Sequence, residues 1–445
     1  MTASFDFDRL LASVLEDRGA KTAPVSTIEA ALDLVRKTPQ RRPILASLDV
    51  RAWPSRRISI ARQTMPRLAM IGLLILLAAA LIGAAIGVGS RILNRDPLTF
   101  GWSATGDLSQ ARTLFTTSLL ADGRVLVAGG GTSEGTAQFA SAEIYDIAGG
   151  SWADAQPMRD NRRFHTATTL KDGRILVAGG ASSAGALASA ELFDPRTMTW
   201  SSAADMAEPR GQHVAALLPG GQVLVAGGTQ GSDAALFAEI FDPDTGTWSQ
   251  TGPMTVWRAS PTATVIPSGK VLVAGGFGPG VEITSAELYD PDTGSWTATG
   301  AMSETRVDGA SATLLLDGTV LVAGGGPSSA EIYDPTSGTW SLTDSPTVGL
   351  GLGGQSATLL PDGTVLAAGG TDAAGGQGLT VSQFYDPATG TWRAGPPLLE
   401  PRYRGQAVLL PTGSVLLVGG EAYYEQGNSD APLRSAEVYG PVGGT

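Results

Sequence analysis

Cysteine is absent from this 445-residue chain, which excludes disulfides, thiolate metal sites and cysteine nucleophiles. Histidine is nearly absent. The only two, His165 and His213, each fall three residues after an arginine of a repeated pattern, so they read as a recurrence of the scaffold. Charged residues make up only 16% of the chain, and beyond residue 97 no basic cluster occurs. Nucleic acid is therefore not an expected partner, since phosphate contacts need Lys and Arg. No phosphate loop, metal-ligand spacing or nucleophile motif is found, so no catalytic residue, metal or cofactor is expected. What is abundant is glycine, at 59 residues, which suits an all-β protein with many turns.

The net charge of −12 conceals an asymmetry. Residues 1–97 carry 14 Lys/Arg against 8 Asp/Glu, and the remainder carries 16 against 34. Between the two lie residues 68–90, LAMIGLLILLAAALIGAAIGVGS, 23 residues with no charge, flanked by Arg67 and Arg91. At 1.5 Å per residue such a helix crosses a hydrocarbon core of roughly 30 Å. A cleaved signal peptide would carry its basic region near residue 1, so the segment is expected to be a retained single-pass transmembrane helix. Arg51, Arg56, Arg57, Arg62 and Arg67 on one side outnumber Arg91 and Arg95 on the other. That bias places the N-terminus in the cytoplasm and the remainder outside. Ala79, Gly83 and Gly87 form a small-residue stripe compatible with helix pairing, hence with a dimer.

The expected organisation is a cytosolic helical and basic segment at 1–67, the span at 68–90, a short linker at 91–97 and a large domain at 98–445. Phe7, Leu10, Leu11, Val14 and Leu15 fall on one helical face, and Ser26 with Glu29 makes a capping box. Residues 1–50 thus read either as a loosely folded tail or as a docking segment for a cytosolic protein. In layout they loosely resemble membrane-bound anti-sigma factors, although no zinc-binding His/Cys pattern accompanies them.

The large domain is a repeat. VLVAGG or a variant of it places a Gly pair at Gly129, Gly179, Gly227, Gly275, Gly324, Gly369 and Gly419. Six of the copies continue to Tyr/Phe–Asp at 145, 193, 241, 289, 333 and 385, each with a Trp six residues after its Asp. Each copy resolves into four short strands: an apolar strand a, an Asp–Gly type turn, the doubly buried VLVAGG strand b, the alternating SAEIYD strand c, and a Pro/Gly turn into the Trp-bearing strand d. Four strands per roughly 48 residues is a propeller blade.

The double glycine, the Tyr–Asp, the Trp and an Arg opening the next copy resemble Kelch repeats over about 345 residues. The resemblance implies a β-propeller in which glycines give neighbouring blades room and aromatics fill the wedges. Seven Gly pairs imply seven blades. The seventh copy ends at Tyr439–Gly440 without a Trp, while Trp102 in GWSATGDL precedes the first copy. The segment around Trp102 is therefore expected to be the outer strand of blade seven, closing the ring.

Function is expected where the repeats differ. From the second glycine to the following Tyr/Phe the gaps are 15, 13, 13, 13, 8, 15 and 19 residues, all on the face that also carries the blade-to-blade connections. Arg112, Arg162, Arg210, Arg258 and Arg402 recur there eleven residues before a turn glycine, with Arg306 twelve before and Leu352 breaking the series. They are candidates to ring the channel mouth and bind an anion. The alternative is inter-blade ion pairs with Glu143, Glu191, Glu239, Glu287, Glu331 and Glu437. Tyr403, Tyr423, Tyr424 and Trp257 add aromatic candidates for a protein or glycan ligand. Runs such as DGRVLVAGG are also similar to galactose oxidase-like copper oxidases, but the Tyr–Cys cross-link and the copper histidines of that family have no counterpart. The expected function is a membrane-anchored, extracytoplasmic binding or sensor module. A signalling protein with an anti-sigma-like segment and a carboxylate-based hydrolase of surface sugars are the alternatives.

Overall fold

A computed structural model describes residues 99–442 apart from short loop stretches (134, 136, 231–232, 235–236, 279–282, 308, 327–328, 345, 347–352, 373–376 and 425–428). The expected helices of residues 1–50, the span at 68–90 and the linker at 91–97 lie outside the described residues.

Blade one shows how a repeat folds. Its strands a to d are Thr116–Leu119, Val125–Ala128, Ala142–Asp146 and Ser151–Ala155, an antiparallel meander hydrogen-bonded in that order. Strand b is apolar throughout because it lies mid-sheet with a blade packed on either face, and all four of its residues are buried. Among the described residues, the long strands form seven such four-stranded sheets. The innermost strands contact one another in sequence around a closed ring, with blade seven returning to blade one.

Closure follows the repeat count. Blade seven combines Gln406–Leu409, Val415–Val418 and Ala436–Val442 with Thr99–Ala104 as its outer strand. Trp102 lies opposite Tyr439 in the register, the place that Trp152 takes opposite Tyr145 in blade one. Both ends of the ring are thus held by one sheet.

The a–b turns differ from a two-residue hairpin with positive φ at both centres. Only the glycine is left-handed, as at Gly173 (φ 88°). The aspartate instead accepts a backbone N–H two residues on, Arg174 N to Asp172 Oδ1 at 3.0 Å.

The core is divided into wedges between blades. One wedge packs Phe115, Val125, Val127 and Tyr145 of blade one against Leu410, Leu416 and Val418 of blade seven. Near the outer end of each wedge, the strand c aromatic pairs with the strand d Trp. Six such pairs, Tyr145–Trp152 to Tyr385–Trp392, have ring centroids 5.0–5.1 Å apart. The indole N–H then reaches the preceding blade: Trp200 Nε1 donates to Gln156 O and Trp248 Nε1 to Ala204 O, both at 2.8 Å.

Candidate functional site at the channel mouth

The recurrent arginines enter six of the seven blades on the connector from the one before. Arg112, Arg162, Arg210, Arg258, Arg306 and Arg402 are 0–1% exposed. Each guanidinium pairs with the strand c glutamate of its own blade, from Arg112–Glu143 at 2.7 Å to Arg306–Glu331 at 3.2 Å. The same group donates to backbone oxygens, as Arg162 Nη1 does to Gly179 O (2.7 Å) and Ser189 O (3.0 Å). The second glutamate oxygen accepts an N–H from the connector, Arg159 N to Glu191 Oε2 at 2.7 Å. Burial lowers the pKa of Arg112, Arg162, Arg210 and Arg306, and the facing glutamate opposes that shift. These arginines therefore do not ring an open channel mouth: buried guanidinium must be paired, and the connector folds it inward onto the glutamate.

The ion pairs are also not inter-blade. The blade-to-blade link is the arginine's backbone. Its carbonyl accepts the N–H of the second glycine of the preceding blade: Gly130 N to Arg162 O at 2.9 Å, Gly180 N to Arg210 O at 2.8 Å, and Gly420 N to Arg112 O at 3.1 Å across the closure. A Cβ on Gly129 would stand 2.6 Å from Arg162 O, so that contact requires glycine. Each arginine thus clasps its own blade with its side chain and the previous one with its main chain.

The histidines belong to the same seams. His165 Nε2 lies 3.0 Å from Thr116 Oγ1, and His213 Nε2 lies 2.9 Å from Thr166 Oγ1, in each case on the previous blade. Burial, with the neighbouring arginine, pushes the His213 pKa down to about 3 and that of His165 well below its ordinary value.

The open part of the mouth begins two or three residues after the arginine position. Leu114, Phe164, Gln212, Ser260 and Arg404 have φ between 48° and 56°, and Gly309 and Gly354 take the equivalent places with positive φ. Left-handed backbone costs of order 1 kcal/mol at a non-glycine residue. The return is a girdle of inter-blade hydrogen bonds: Phe164 N to Leu114 O, Gln212 N to Phe164 O, Ser260 N to Gln212 O and Arg404 N to Gly354 O. Glycines on the blade five and six side leave a cavity of about 380 Å³, lined by Leu114, Phe164, Ser311, Ser356, Arg404 and Gln406 among others. Among the described residues, none that lines it is Asp or Glu.

Beside this cavity, blade seven carries a cluster that the repeat pattern does not contain. Glu421, 2% exposed, accepts from Tyr403 Oη at 2.8 Å, Thr113 Oγ1 at 2.6 Å and Arg404 Nη1 at 3.3 Å. The structure therefore joins Tyr403, expected from the sequence, to Arg404, Glu421 and Thr113, which were not. The missing signal was position: Glu421 directly follows a Gly pair, where other blades have Gly131, Ala181, Thr229 or Phe277. Tyr423 and Tyr424 lie on the strand Glu421–Tyr424, paired with Ser429–Pro432 as a hairpin that projects from the b–c side of blade seven. Trp257 is half-buried beside Arg258 on the connector into blade four.

Residues 115–326 match the family model of the KLHDC2/KLHL20/DRC7 Kelch-repeats domain. No curated protein matches the chain by sequence. Among solved structures, a fungal alcohol oxidase of the AA5 family, in complex with copper, is similar with a TM-score of 0.63 at 19% identity, over 78% of this chain and 77% of that one. At that identity the likeness concerns the fold. The residues here do not fit a copper centre, because cysteine is absent, both histidines are bound in blade seams, and the described residues hold no cluster of three or more metal-ligating side chains. The described residues thus form a seven-bladed β-propeller, of which residues 115–326 match a Kelch-repeat domain.

Proposed function

We propose that this chain is a membrane-anchored binding module whose propeller, outside the cell, takes a protein or a glycan on its loop face. A Kelch propeller suggests a protein-binding module. The observation that carries the reading is the contrast between the two faces. The gaps from Gly pair to Tyr/Phe on the loop face range from 8 to 19 residues, and these loops surround a mouth with its own cavity and the Arg404–Glu421–Tyr403 cluster, whereas the opposite face carries short turns. The paired Arg404–Glu421 side chains place polar groups at the mouth, and Phe164 with Leu114 places apolar surface beside them. The uncharged segment at 68–90 supports anchoring, and its flanking arginines support a cytoplasmic N-terminus.

A photo-crosslinking residue at Ala184, exposed on the loop face, is expected to capture the partner in intact cells. The same group at Leu316, on an a–b turn and 76% exposed, is expected not to. Equal capture at the two positions, or none, overturns the reading of the loop face. Protease added to intact cells is expected to cleave the propeller, and cleavage only after lysis reverses the topology.

A further inference from the structure

The seam between blades six and seven departs from the others. At the other six seams the outer-strand indole N–H donates to the preceding blade, either to a carbonyl or, for Trp296 and Trp392, to a threonine hydroxyl. Trp102, the equivalent residue in blade seven, is 6% exposed and its Nε1 has no acceptor among the described residues. By equivalence, its acceptor would lie four residues after Trp392, at the Pro396 carbonyl. That oxygen is already taken by Ser382 Oγ at 2.5 Å, and Ser382 stands where the other blades have alanine. The Trp102–Tyr439 ring pair is correspondingly looser, with centroids 5.5 Å apart.

A cavity of about 620 Å³ opens at this seam, on the side of the a–b turns and away from the loop face. Its walls include Phe100, Phe384 and Tyr439, with ring centroids 5.9 Å (Phe100–Tyr439) and 5.7 Å (Phe384–Tyr439) apart. Phe384 occupies a position that is Ile, Leu or Val in the other blades. Arg393 closes one side, its guanidinium stacked 4.0 Å over the Phe384 ring. It makes no ion pair among the described residues, unlike the six clasp arginines. The one acidic residue in the lining, Asp362, is turned to its own loop, accepting from Thr364 N and Thr364 Oγ1. The volume is that of a small-molecule site. Aromatic walls with a single uncommitted cation at the edge favour a ligand with an apolar body and one carboxylate, because stacking on Phe384 leaves the N–H edge of the guanidinium to donate.

We propose that this seam is a binding site for small aromatic or branched carboxylates, held by Phe100, Phe384 and Tyr439 around the body and by Arg393 at the carboxylate. It is independent of any ligand on the loop face.

Calorimetric titration of the full-length chain with 3-phenylpropionate tests it, with 3-phenylpropanamide as the uncharged probe. The acid is expected to bind saturably with a dissociation constant of about 1 mM or below, and the amide at least about tenfold more weakly. Arg393→Gln is expected to bring the acid to the level of the amide with no change in thermal unfolding, since Arg393 is exposed. Arg434→Gln, which removes an exposed charge elsewhere, is expected to leave binding unchanged. The proposal is overturned by absence of saturable binding, by equal affinity for acid and amide, or by an Arg393→Gln variant that binds the acid as the natural chain does.

Discussion

Blade two and blade six share four strands, a Gly pair, a Tyr/Phe–Asp and a Trp, yet they solve the same packing problem differently. Blade two buries Arg162 against Glu191 at 2.8 Å. In blade six both charges are gone: the arginine position is Leu352, and the glutamate position is Gln383, 1% exposed. A carboxylate left alone at that depth would be strongly destabilising, so losing one partner demands losing the other. Blade six also has Gln355 where blades two and three have His165 and His213, and all three side chains pack over a glycine of the preceding blade. The comparison teaches that the clasp is a matched set and not a requirement of the fold. Blade six, where the set changes, also borders the seam cavity and carries Gly354 at the mouth.

The largest effect is expected from breaking the set in blade two. Arg162→Leu leaves Glu191 buried without its cation and should cost about 3–5 kcal/mol of unfolding free energy by denaturant titration. Adding Glu191→Gln transplants the residues of blade six and should recover at least about half of that loss. A double variant no more stable than the single would show that blade six tolerates neutrality for some other reason.

Acidification by one pH unit should give the next largest effect. The buried histidines stay neutral in the folded chain while the unfolded chain takes up protons below about pH 6.5. The unfolded state therefore binds more protons from about pH 6.5 down to about 3 for His213, and stability falls as pH falls through that window. Each histidine accounts for up to about 1.4 kcal/mol per pH unit. Replacing both by glutamine, as in blade six, should flatten this part of the pH profile, and an unchanged slope would remove the histidines from it.

The smallest effect concerns the irregular seam. Ser382→Ala restores the alanine of the other blades and releases the Pro396 carbonyl. Loss of one hydrogen bond should cost about 1 kcal/mol or less, partly offset if the Trp102 indole takes the freed acceptor. A downfield shift of the Trp102 indole N–H proton would report that exchange directly.

Much of the propeller was legible because its signals are local and repeated. The Asp–Gly turns, the doubly buried VLVA strands and the fixed Asp-to-Trp offset each depend on a few neighbouring residues. Counting Gly pairs gave the blades, and the stray Trp102 gave the closure. Partners of the arginines were legible only as alternatives, since Glu143 and its equivalents recur on the same face whether the pair is buried or open. Arg404 and Glu421 were not legible as a cluster. They meet through a left-handed backbone turn and a connector from the neighbouring blade, and neither leaves a periodic trace.

The sequence by itself therefore determined the number of blades, the strand order within each and the strand that closes the ring, because these rest on short-range patterns summed over seven copies. Tertiary structure alone decided which side of each arginine holds which blade, that the guanidinium groups are buried, and that the seam beside Trp102 is open. Those outcomes depend on contacts between residues tens to hundreds of positions apart, such as Thr113 with Glu421, which come together only when the ring is closed.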